Sequence, residues 1–416
     1  MRPILQWTMT FMKTHAPRQT YVDLPGPYGP RRSFALFDLG FRPLYLAGAA
    51  FGVVAIALWL AVLRGALSPG DYLPAIAPVA WHAHEMIFGF AAAVVVGFLL
   101  TAVRAWTGLQ TIKGGKLAAL VALWVVARVL VWTGPVVPAV IADLAFLPCA
   151  AFAVLHTLRK AGNKRNEFLA FLLLAFGSLN ALFHFYIWES SVDHALRCIY
   201  AAIGIVTLFV SVIGGRVIPM FTANAIPGFV ARRWRPVEFA VPVFTLLASF
   251  SDALHLHPLL VFALALAAFL VHLVRMIGWR SWRAQRPPIL GVLHQAYAWI
   301  PIAYLLLALC QLGIVSHTLA IHAFTFGAIG GAIIAMITRT ARGHTGLPLI
   351  ASRKDMGSYQ LVMMGAVARV FGPILVPSLY LAWIDIAGAC WILAFAIYVF
   401  GYARALCRPR ADGKPG

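Results

Sequence analysis

The chain has 416 residues, of which 62% are hydrophobic and 11% charged, and it carries a formal net charge of +20; its mean hydropathy is +0.86. Soluble domains run to about half apolar and a quarter charged, so a soluble enzyme or binding module is excluded and a polytopic membrane protein is indicated. Nor does the positive charge point to nucleic acid, because the 33 Lys and Arg are parted by apolar runs and largely skip every second connection.

Taken in chain order, residues 1–43 read as a tail rich in Pro, Gly and Arg, without the apolar h-region of a cleaved signal peptide. A hydrocarbon core about 30 Å thick requires helices of about 17–25 apolar residues. Twelve such runs follow, at 44–63, 81–103, 117–133, 136–158, 167–187, 197–218, 237–254, 258–277, 289–313, 317–338, 359–376 and 378–403. The prediction is therefore an all-α protein with a single membrane domain of about twelve transmembrane helices over 44–405 and a short tail at 406–416. All but Arg64, Arg128, Arg197 and Arg369 of the 33 basic residues fall on one side of it. By the positive-inside rule that side is the cytoplasm and holds both termini and both tails.

The second run begins WHAHEMIFGF, Trp81 to Phe90, which places His82, His84 and Glu85 at the outer end of a span. The tenth runs the same way and begins SHTLAIHAFTFG, with His317 and His322. His82 lies 22 residues before Arg104 and His317 lies 22 before Arg339, so the two are level. His84 and His322, at 20 and 17 residues before the same marks, differ in depth by about 4.5 Å at 1.5 Å per residue. Further outer histidines are His184, His194, His255 and His257.

Residues three apart share a helix face, whereas residues two apart are about 200° apart. His82 and Glu85 can thus face one site while His84 faces another. Ionisable groups inside spans are costly and by default mark function. Opposed imidazoles from two helices hold a haem iron without Cys, and the remaining histidines suit copper. The depth match selects His84 and His322 as the axial pair, with His82, Glu85 and His317 one layer further out for copper or proton delivery. His184 and His194 complete the candidate metal set.

The five cysteines stand singly, with no CxxC and no CxxCH, so any haem is non-covalent, of the b type. No P-loop, dinucleotide fingerprint or Gly-x-Ser-x-Gly elbow occurs. Arg128 and Asp143 flank the short outer TGPV turn at similar depth and are expected to pair. Arg369, about mid-span in the eleventh run, has Asp385 as its nearest obvious partner, or faces haem propionates. The second, sixth and tenth runs all close on an Arg at the inner side, Arg104, Arg216 and Arg339, four helices apart, which hints at a repeated four-helix unit.

Three stretches, WHAHEMIFGFAAAVVVGFLLTAVRAWTG, GGRVIPMFTANAIPG and HAFTFGAIGGAIIAMITRTARGHTG, resemble the signature regions of the NnrS family. The resemblance implies a bacterial inner-membrane protein containing haem and copper, connected with denitrification and the nitric oxide response. It carries metal positions onto His82, His84 and Glu85 in the first stretch and His322 in the third. A weaker resemblance is to haem–copper oxidases and nitric oxide reductases, which take haem ligands from their second and tenth helices. That correspondence breaks at the sixth and seventh runs, which hold no histidine within the spans.

The expected function is accordingly that of a haem and copper protein in nitric oxide metabolism or nitrosative-stress protection, with nitric oxide or a derived species as its partner and the site near the outer face. Oxidoreductase turnover of nitric oxide, with a quinol or other electron donor, stays open. The alternatives are a membrane transporter and a quinone-linked electron-transfer or assembly subunit.

Overall fold

The computed structural model describes residues 34–67 and 76–413; the expected tail thus lies in large part, over 1–33, outside the described residues, as do 414–416. Twelve long helices follow one another with no strand among the described residues. They are α1 (Phe41–Leu63), α2 (Pro78–Thr107), α3 (Gly115–Thr133), α4 (Val136–Lys160), α5 (Lys164–Trp188) and α6 (Val192–Ala225). Then come α7 (Arg235–Ala253), α8 (Pro258–Gly278), α9 (Pro288–Gln311), α10 (His317–Thr345), α11 (Arg353–Leu375) and α12 (Pro377–Cys407). Eleven are long and apolar enough to cross a membrane. Each matches an apolar run read from the sequence. Inner and outer are used below as the charge distribution assigns them.

Local chemistry sets the helix ends. Pro78, Pro258 and Pro288 sit in the first turn of their helices, where the missing N–H would have no partner in any case. Gly108 and Gly346 adopt left-handed φ values of 71° and 80° just past α2 and α10, which terminates both after the same Trp/His-Thr-Gly pattern. Ser352 and Asp355 form a reciprocal capping box on α11.

α7 is the helix that falls short as an apolar span, and its polar residues are turned inward. Thr245 Oγ1 lies 2.9 Å from His272 Nε2, His272 Nδ1 lies 2.8 Å from the Tyr297 hydroxyl, and Arg275 Nη1 donates to that hydroxyl at 3.0 Å. These groups on α7, α8 and α9 satisfy one another, as buried polar groups in lipid must.

Successive helices pack as neighbours, and α1 closes against α12. Arg42 ties that closure, since its Nη1 donates to the carbonyls of Leu406 and Arg408 at 2.9 and 2.8 Å. α2, α6 and α10 are, with α9, the most buried spans, and α6 touches both α2 and α10. The three helices that carry Arg104, Arg216 and Arg339 thus form the centre of the bundle.

Two of them depart from regular α geometry. α2 widens into a π-helical turn over Glu85–Ala91 and α10 does so over Ala323–Gly330, each starting at the residue after a histidine. Such turns cluster at functional sites. Both contain a glycine that a neighbour approaches closely. A Cβ at Gly89 would lie 2.7 Å from the Phe51 ring, and one at Gly327 would enter the Trp299 indole. Gly327→Ala is expected to cost about 1–3 kcal/mol through overpacking, measured as a lower Tm in detergent; an unchanged Tm would show that Trp299 yields freely.

Candidate metal centre

Side chains on α2 diverge within one turn. His82, Ala83, Met86, Ile87 and Phe90 line a cavity shared with α6, α10 and α12, whereas His84 and Glu85 turn toward Arg128 on α3, Asp143 on α4 and Asn180 on α5. The two histidines two residues apart serve separate sites, in keeping with the 200° offset, but Glu85 joins His84 and not His82, because its carboxylate turns to the Arg128 guanidinium.

The first site is a cavity of about 110 Å³ walled by both His82 and His322. His322 Nδ1–H donates to the Thr318 carbonyl at 2.7 Å, which fixes the tautomer and leaves the Nε2 lone pair free to bind a metal. His82 stacks on Trp59 with centroids 4.6 Å apart and planes at 12°, and its Nδ1 is buried without a hydrogen-bond partner among the described residues. Arg369 is 6% exposed. One of its nitrogens, Nη2, donates to Thr318 Oγ1 at 3.3 Å and its guanidinium stands 5.8 Å from the Tyr380 ring centre. The other, Nη1, is buried with no partner among the described residues. Unsatisfied buried nitrogens are rare in native proteins and call for a specific explanation.

The second site is a dense ionic cluster. Arg128 Nη1 donates to Glu85 Oε1 at 2.6 Å, and Nη2 donates to Asp143 Oδ1, which is the ion pair expected across the TGPV turn. Asp143 Oδ2 accepts from Asn180 Nδ2 at 2.7 Å and from His184 Nε2 at 2.8 Å, and stands 3.1 Å from His84 Nε2. His84 Nδ1 lies 2.8 Å from Glu85 Oε1, and its Nε2 lies 2.9 Å from Asn180 Oδ1. His84, Asp143 and His184 each offer a ligand atom, all within 4.8 Å of one another.

Two carboxylates against one guanidinium leave the cluster one negative charge in excess. A buried charge must be balanced. Both ring nitrogens of His84 face oxygens, and a cation held among His84, Asp143 and His184 would supply the balance.

The sequence pairing of His84 with His322 is not what the helices assemble: His82 shares the cavity with His322, and His84 joins His184. The physical reason is helix phase. Equal depth brings both α2 histidines near α10 in height, but only the face carrying 82, 83, 86, 87 and 90 points that way. Arg369 likewise does not meet Asp385, which pairs with Arg64 at the outer surface, and the unpaired Nη1 of Arg369 belongs to the histidine cavity's neighbourhood through Thr318.

Two candidate residues lie apart from both sites. His317 Nε2 is 2.9 Å from Asp252 Oδ2, and its ring is 4.8 Å from that of Tyr200, which itself lines the cavity. His194 is bonded to Ser191 Oγ at 2.7 Å and stacks on Tyr186. Asn180 and Thr318 were not singled out from the sequence. One signal in it does bear on the site: His84 and His322 each begin the pattern His-x-x-x-Phe-Gly, ending at Gly89 and Gly327, and each is followed by the π-helical turn.

The geometry thus sets a cavity with two available imidazoles beside a His–Asp–His cluster, both built on the first of the three sequence stretches. A family model described as NnrS protein matches residues 35–410. No curated protein matches the chain. With that match spanning nearly its whole length, the chain belongs to the NnrS family.

Proposed function

We propose that this protein is a haem- and copper-binding membrane protein of the nitric oxide response, with haem at the His82/His322 cavity and copper at the His84–Asp143–His184 cluster. Family membership supports the nitric oxide connection. The observation that carries the haem placement is the pair of imidazoles on α2 and α10 lining one cavity, next to an Arg369 nitrogen with no partner.

The donors fit the group. His322 is held with Nε2 available, His82 has no competing bond at Nδ1, and Arg369 supplies a cation suited to a propionate. The cavity volume, about 110 Å³, is that of a few waters, so a porphyrin ring enters only with side chains such as Phe90 and Phe326 displaced. When bound, a haem would supply an iron that takes and gives up an electron, or that takes a diatomic ligand once one imidazole is released. The chain's own part would be to offer the imidazoles of His82 and His322, to neutralise a carboxylate with Arg369 and to keep water out with Ile, Phe and Trp walls. In the second cluster, two imidazoles and a carboxylate form a nitrogen and oxygen donor set suited to copper, and Arg128 and Asn180 orient Asp143 as outer partners of metal ligands do.

Protein expressed with haem and copper supplied and purified in mild detergent is expected to show a Soret band, to release its haem to acid–acetone because no CxxCH is present, and to contain copper. His184→Ala should lower the copper content by about tenfold or more and leave the Soret band in place. Protein with neither group would end the proposal, and copper unaffected by His184→Ala would remove the copper assignment alone.

A further inference from the structure

A second cavity, of about 90 Å³, lies further in along the same three central helices. Val94 and Phe98 of α2, Val210 and Ile213 of α6, and Ile333 and Met336 of α10 form its walls. It stands end to end with the histidine cavity. Phe90 and Ile329 line the outer one, and Val94 and Ile333, each four residues further along the same helix, line the inner one. Four residues amount to about 6 Å, one turn.

The inner chamber is built to stay dry. A buried water needs two to four polar partners, and apolar cavities without them remain empty of water and take up xenon or small apolar molecules. The Tyr297 hydroxyl is already engaged with His272 and Arg275, and Tyr45 adds a single hydroxyl at most. The remaining walls are aliphatic or aromatic. The volume is too small for a porphyrin and ample for a diatomic gas.

All three sequence stretches that resemble the family signatures converge here. The first contributes Val94, Val95 and Phe98, the second Gly214, Val217 and Ile218, and the third Ala332, Ile333 and Met336. The second stretch carries no histidine and supplies no residue lining the outer cavity, so this chamber gives it a role that the metal sites do not.

We infer that the inner chamber is a binding site for small apolar gas molecules, its walls one helical turn further in than the lining of the histidine cavity. The identity of the gas as nitric oxide rests on the function proposed above; the binding itself does not. A diatomic with almost no hydrogen-bonding capacity gains by leaving water for a dry apolar wall.

The test is xenon binding. Crystals of the full chain pressurised with xenon are expected to show an anomalous peak bounded by Val94, Val210 and Ile333. Ala332→Phe, which fills the chamber, should abolish that peak; Val210→Phe fills it from the opposite wall and serves if Ala332→Phe does not fold. Xenon absent from the chamber, ordered water in it, or a porphyrin occupying it overturns the inference. If the protein proves to carry no haem, the function above fails and the xenon measurement alone decides the chamber.

Discussion

Replacing His82 or His322 with alanine is expected to reduce bound haem by at least about tenfold, while His84→Ala keeps the haem spectrum. The asymmetry follows from which face of α2 each residue occupies. His82 shares its cavity with His322, whose Nδ1 is fixed by the Thr318 carbonyl, so each substitution removes one of the two imidazoles available to the iron. His84 is engaged on both nitrogens by Glu85, Asp143 and Asn180. Its loss leaves buried carboxylates short of a partner, at about 1–3 kcal/mol, and lowers copper, not haem. Exogenous imidazole should restore the spectrum of His82→Gly, a result that a merely structural histidine would not give. Haem retained in His82→Ala and lost in His84→Ala would place the iron on the opposite face of α2, among the ionic cluster.

The same contrast shows what the sequence made legible. Apolar length alone located twelve helices, including α7, because even a span with Thr245, Ser249 and Asp252 must close its backbone bonds in lipid. The Arg128–Asp143 pair was legible because two opposite charges at equal depth on adjacent helices have no better solution. Arg369 was harder, since Asp385 looked equally close along the chain yet reached Arg64 in the outer layer. Depth can be counted in residues. Azimuth cannot, because it depends on which neighbour each helix face meets, and nothing in WHAHE says whether 82 or 84 turns to α10. The π-helical turns are hidden for a related reason: apolar runs such as Glu85–Ala91 and Ala323–Gly330 are equally compatible with a regular 100° per residue. The repeated His-x-x-x-Phe-Gly was the local sign that two helices share one irregularity.

The two sites are also joined through α2 itself. His82 faces the cavity and His84 and Glu85 face the cluster within a single turn, so one short helical segment holds both sites in place. Trp124 steadies that segment by donating from Nε1 to the Gly89 carbonyl at 3.1 Å, inside the π-helical turn where regular bonding is interrupted. Arg128 steadies it from the other side through Glu85.

Arg128→Met is therefore expected to be the most destabilising single substitution at the site. Arg128 bridges Glu85 and Asp143, both 1% exposed as side chains, and no water reaches them to take its place. Breaking a buried pair by removing one partner costs about 3–5 kcal/mol, here with two carboxylates left facing each other across His84. Arg128→Lys should recover only part of the loss, because an ammonium is a point charge and cannot span two carboxylates as a planar fork does. The measurement is thermal unfolding in detergent together with the yield of folded protein, comparing Arg128→Met with a triple variant that adds Glu85→Gln and Asp143→Asn. Neutralising the two acids should return much of the lost stability, since the penalty lies in uncompensated charge. A triple variant no more stable than Arg128→Met would show instead that the loss comes from the packing of the Arg128 stem against Gly89, where a Cβ would stand only 3.2 Å from Arg128 Cδ.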